Sequence, residues 1–311
     1  MAKEMAREER LDPVYFLALD GDVKAAMEKL NAIDPKTLSP VEQATHLNYL
    51  ERFGKDAHPI HPTGPDLVSE LTGVYQSYRD RALLQKLNQR DGYLYLFDKL
   101  VPIVRRLGGR ANKFSEDEYD RVSAFLTLKL KETGYYAKIG SVKPHLNFMA
   151  WKKQLTKSFE ANLGDGEIEK VAVVLMDDFV ALGWAACATF DKMHVGGWVG
   201  ENALYCVASS YDLESEDFKV SFLAHEARHF SDQRKYKILS PSDLEYRAKL
   251  NEVFLADKSF ETLLRKFLLE ARNNPANPHS HASHRLVTEL SAKLRMKIVL
   301  TTVHSLKKNQ I

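Results

Sequence analysis

Residues 225–229 read His-Glu-Ala-Arg-His, and this short run constrains the fold more than any other part of the chain. Two histidines four apart face the same way on a helix, one turn above each other. Phe218 and Phe222 lie upstream on the same stripe, in steps of four, three and four. The apolar face therefore runs into the imidazoles, which are expected to point inward at the edge of a cleft. Ser215 can cap this helix, and Glu216 and Asp217 suit its first turn. Both rings of His225 and His229 can then reach one zinc ion at about 2.0–2.1 Å. Glu226 points to an adjoining side, where it can take a proton from metal-held water instead of ligating. Zinc lowers the pKa of that water towards about 7 and polarises a carbonyl, which is why this pattern suits metal-assisted hydrolysis.

A catalytic zinc normally has three protein ligands and an open position. Ser240-Pro241 begins a second helix, with Ser240 as cap and Pro241 at the first position. Glu245 falls in its second turn, and Ala248 and Glu252 share that face. The small Ala248 side chain would allow close approach to the motif helix. Geometry favours Glu245 as third ligand, with Glu252 as the rival. Asp232 is a further candidate, as ligand or as partner of a histidine N–H. A donor for a developing oxyanion is also needed. Tyr246 and the cluster His279, His281 and His284, at a loop leading into a helix, are the candidates.

HEARH followed sixteen residues later by the Glu of EYRA resembles the gluzincin branch of the zincin metallopeptidases. The stretch GGWVGENALYCV, FLAHEARHFSD and DLEYRAKLNE is similar to uncharacterised bacterial metallopeptidases over about residues 195–256, and the likeness is weak elsewhere. It implies His225, His229 and Glu245 as ligands of one Zn2+, Glu226 as general base, and a peptide or protein substrate. It also implies an edge strand that pairs with extended substrate, with Leu204–Ser209 as the candidate. The alternative from another class is a non-catalytic helical binding or scaffold protein whose zinc site is structural or vestigial.

The remainder of the chain reads as α+β and predominantly helical. A helical N-terminal region is expected over residues 1–140 and a zincin-like domain over 141–311. Leu67, Leu71, Val74, Tyr75 and Tyr78 form an apolar stripe entered through Pro65-Asp66, and Ser115 with three acidic residues starts a helix running to about Lys131. Before the motif, a sheet of about four strands is expected from Leu155–Leu163, Lys170–Met176, Trp184–Phe190 and Ala203–Ser209. Gly196-Gly197-Trp198 and Gly200-Glu201-Asn202 mark a hairpin-like turn. His58 and His61 read as part of a solvated loop.

Composition closes off other classes. Lys and Arg number 44 against 42 acidic residues, so no footprint for nucleic acid is expected. The longest apolar run, Phe179–Phe190, is too short for a membrane span, which takes about 20 residues, and reads as core. The charged first twelve residues lack the apolar stretch of a signal peptide, which leaves the compartment open. Cys187 and Cys206 sit in apolar runs and read as buried free thiols, with a disulfide between neighbouring strands as the alternative.

Overall fold

The computed structural model describes residues 11–55 and 64–293; His58 and His61 lie outside the described residues. Two compact units emerge, and the chain enters each more than once. The first holds the described residues up to Lys157, together with Val174–Trp198 and Tyr205–Ser210. The second holds Ser158–Val173, Val199–Leu204 and the described residues from Tyr211 onward.

Six helices open the first unit: α1 (Asp12–Leu19), α2 (Val23–Asn31), α3 (Pro40–Phe53), α4 (Leu67–Ala82), α5 (Gln89–Arg106) and α6 (Glu116–Glu132). All but α1 start with a side-chain cap. Asp66 accepts the Ser69 N–H and Ser115 accepts the Glu118 N–H. Ser39 and Glu42 form a reciprocal capping box at α3. The stripe of α4 is buried with α5 and α6 in one apolar cluster that includes Leu71, Tyr75, Leu100, Leu126 and, from the sheet, Phe148.

A five-stranded sheet contributes residues to both units. Its five strands are β1 (Tyr136–Val142), β2 (His145–Asn162), β3 (Ile168–Ala181), β4 (Gly197–Val199) and β5 (Leu204–Val207), in the order β1-β2-β3-β5-β4. β1 pairs antiparallel with β2, Tyr136 opposite Trp151. The α+β class therefore holds. The boundary expected near residue 140 falls inside β1.

Three sequence expectations need correction. Trp184–Phe190 is not a strand; Trp184–Thr189 forms a helix, α7. Short apolar runs do not distinguish strand from buried helix, and here three alanines favour the helix. Gly183, at φ +96°, turns the chain in, Asn147 accepts the Trp184 N–H, and Phe190 at φ +53° ends the turn. Second, the sheet has five strands, because β1 and β4 were not foreseen. Third, β5 lies between β3 and β4, so Leu204–Ser209 offers no free edge; β4 is the edge strand on that side. Both cysteines are buried and neither forms a disulfide. No helix among the described residues is long and apolar enough to cross a membrane.

In the second unit a π-helical segment (Asp217–Ala224) leads directly into α8 (His225–Lys235), followed by α9 (Pro241–Leu255), α10 (Phe260–Glu270) and α11 (Pro278–Lys293). The turn end of the β2–β3 hairpin belongs to this unit. Asn162 accepts the Gly164 N–H there, and Gly164 at φ +74° has no room for a side chain beside Asn251 and Phe254.

Candidate metal centre

The motif helix is set in place before its chemistry begins. Ser215 accepts the Phe218 N–H, as its position in the sequence requires. Glu216 reaches away from that helix and accepts hydrogen bonds from Asp257 N, Lys258 N, Ser259 N and Ser259 Oγ. These donors hold its carboxyl down at about 2. Phe218 and Phe222 stack at 5.5 Å, and Phe159 and Tyr211 pack against them. The π-helical segment means that this aromatic stripe meets the histidines through a wider turn than the expected α-helical steps; such turns recur at functional sites. Arg228 donates to the Leu163 carbonyl and pairs with Asp165 at 2.7 Å. Arg234 and Lys235 pair with Glu169 and Glu167. Three basic side chains of α8 thus tie it to the hairpin turn.

His225 and His229 are both buried, with 7% of each surface exposed. Their rings cross at 80° with centroids 4.7 Å apart, and the two Nε2 atoms face each other at 3.0 Å. From α9, Glu245 brings Oε2 to 3.5 Å from His225 Nε2 and Oε1 to 3.4 Å from His229 Nε2. His225, His229 and Glu245 therefore form a group that could hold a metal ion, with donor atoms all within 4.8 Å of one another. Glu252 is not in that group. It is buried and lies 2.6 Å from His225 Nδ1, so it keeps the proton of a neutral ring on Nδ1 and leaves the Nε2 lone pair for an ion.

The donor set passes a simple test. Ligands about 2.0–2.1 Å from a tetrahedral zinc stand roughly 3.3–3.4 Å apart; the two Nε2 atoms are 3.0 Å apart, and each carboxylate oxygen of Glu245 stands 3.4–3.5 Å from a different one of them. Glu245 Oε2 is buried yet has no hydrogen-bond partner. His279 Nδ1 lies 2.9 Å from it as a charge partner, off the line of a hydrogen bond. A buried carboxylate oxygen without a hydrogen bond is costly, and a cation would satisfy it. Electrostatics agree. Burial opposes a charged ring, but Glu252 and Glu245 outweigh it and push His225 up to about 10. Burial likewise opposes ionisation of Glu245, but His279, His225 and His229 hold its carboxyl well below the usual range. Glu245 and Glu252 thus gather negative charge beside the two rings.

Glu226 is half-buried, and among the described residues it carries no hydrogen bond or ion pair. Asp232 is neither ligand nor histidine partner: Arg247 Nε and Nη2 engage its two oxygens at 2.6 and 3.1 Å. The Tyr246 hydroxyl donates to Glu289 while Arg285 covers the ring, so it is directed to α11. Of the three C-terminal histidines, His279 touches Glu245, and His281 keeps a buried Nδ1 without a hydrogen-bond partner.

Sequence reasoning missed the charges behind the site. Lys249, on α9 between the two glutamates, is buried and pairs with Glu270 of α10 at 2.9 Å; Ser283 of α11 donates to the same oxygen. Glu270 is held at about 2, because Lys249 and Lys266 overcome the burial that opposes its ionisation. A lysine amid apolar neighbours on the face of Glu245 and Glu252 was the available signal, but its partner comes from another helix. No family model, no curated protein and no solved structure matches this chain.

Proposed function

We propose that the chain is a zinc-dependent hydrolase that cleaves peptide bonds, and that the unit bearing the site is zincin-like. One observation carries this reading: His225, His229 and Glu245 converge at separations suited to one ion, as a group of three. Three protein ligands leave a position for solvent and substrate, whereas structural zinc sites are closed by four. A zinc ion held there supplies a Lewis acid and a water of lowered pKa. Glu226 takes the proton of the attacking water and returns it to the leaving amine. Glu252 holds His225 in the ligating tautomer. His279, exposed beside Glu245, donates to the developing oxyanion.

Metal analysis of the purified chain, with turnover of a broad peptide library by the parent and by Glu226→Gln, tests the reading. One zinc per chain and loss of turnover in the variant are expected. Full activity in Glu226→Gln would sink the mechanism. The proximity of His279 to Glu245 also favours a second reading, a structural ion closed by a fourth ligand. X-ray absorption on the zinc-loaded chain separates the two, since a shell of four protein ligands without solvent belongs to the structural site.

A further inference from the structure

The ligands come from two helices. α8 supplies His225 and His229 and α9 supplies Glu245, while the connecting residues Tyr236–Ser240 include the almost fully exposed Ile238. Apart from the contacts of the two histidines with Glu245 and Glu252, two polar ties set these helices together. At one end Asn251 Nδ2 donates to the Ala224 carbonyl at 3.1 Å. At the other, Arg247 grips Asp232 through both oxygens, with Arg228 Nη1 3.8 Å away on the α8 side. Ala248, fully buried, keeps the helices close between the ties.

We infer that the Asp232–Arg247 pair is a positioning device for the metal centre, which sets α9 against α8 so that Glu245 stays within reach of both imidazoles; this rests on the metal reading proposed above. Asp232 is completely buried. A carboxylate so placed must keep its partner, and a two-pronged guanidinium fixes direction as well as distance. Arg247 lies two residues beyond Glu245, so a shift of α9 that loosens the fork also carries the glutamate away. A metal site tolerates only about 0.5 Å of such movement.

The test compares full-length Arg247→Ala and Arg247→Lys with the parent, using Co2+ as the probe. Co2+ affinity, the visible spectrum of the loaded chain and the urea midpoint are read together. Arg247→Ala should bind Co2+ about 10–100-fold more weakly, the range typical of groups that orient ligands, with a changed spectrum. Arg247→Lys should fall between, because an ammonium is a point charge without the fork. A merely structural role would move the urea midpoint and leave affinity and spectrum of the folded protein as in the parent, and that result would overturn the inference. Should Arg247→Ala not fold, Arg247→Lys decides by the same two readings. A parent that binds no Co2+ would overturn the metal reading, and this inference with it.

Discussion

Tyr75 and Tyr119 in the first unit share a buried hydrogen bond of 2.9 Å; His225 and Glu252 in the second share one of 2.6 Å. The first pair is neutral and embedded in Leu71, Leu96, Val122 and Leu126. The second is ionisable and borders Glu245, with Lys249 on the same helix. Apolar burial can hold the helices before the sheet together by itself. The helices after it bury His225, Arg228, His229, Asp232, Lys249 and Glu252, groups whose desolvation consumes much of what their pairing returns. An arrangement like this contributes less to stability than the number of its contacts suggests. Its usefulness lies in holding charge in a fixed place.

The comparison breaks most visibly at Glu226. Glu226→Gln should lower turnover by roughly 10²–10⁴-fold, the range of a general acid–base group, while zinc content and the urea midpoint stay unchanged. A folded, zinc-loaded variant with parental turnover would leave the second unit's charges without the proposed use.

Leu126→Ala probes the other side. This fully buried leucine should cost about 2–5 kcal/mol on truncation, read by urea unfolding. Metal affinity of the folded protein should not move. A tenfold loss of affinity would show that the apolar unit takes part in the site.

Acid sharpens the contrast next. Glu270 sits at about 2 in the folded chain, below its ordinary value of 4.5. Its stabilisation is thus fully present above about pH 4.5 and is lost as the pH falls towards 2, on the order of 3 kcal/mol by linkage. Glu270→Gln should be weaker at neutral pH and flatter across that window. An unchanged slope would remove the Lys249–Glu270 pair from the account.

How much of this the sequence reveals depends on whether the signal is local. Helix starts at Ser115, Ser215 and Ser240 rest on hydrogen bonds within three residues, and each is present. The step of four between His225 and His229 fixes their common face on any helix. Glu245 and Glu252 are different: two turns apart, they share a face, and only the register of α9 against α8 assigns one to the metal group and the other to His225 Nδ1. Pairings such as Arg247 with Asp232 or Lys249 with Glu270 need that register too. Trp184–Thr189 failed for another reason: a six-residue apolar run fits either a strand or a buried helix, and its flanking Gly183 decided it.

Glu252→Gln tests the register directly. Losing the carboxylate on Nδ1 should weaken metal binding about 10–100-fold, or roughly 1.4–2.8 kcal/mol, measured by competition with a chromophoric chelator. Affinity equal to the parent would mean that His225 needs no help in choosing its tautomer.

The smallest expected effect compares like with like. Ser115 and Ser240 cap helices by the same bond, to the N–H three residues on, in different units. Ser115→Ala and Ser240→Ala should each cost about 1 kcal/mol, seen as similar shifts in urea midpoint. Their effects on metal should differ. Ser240 begins the helix that carries Glu245, so a frayed first turn adds to the cost of holding that ligand. The added cost cannot exceed the loss of the cap, which limits the fall in affinity to about fivefold. Ser115 begins a helix of the apolar unit, and its loss should leave affinity untouched. Equal losses of affinity in the two variants would mean that the centre senses global stability and not the placement of α9.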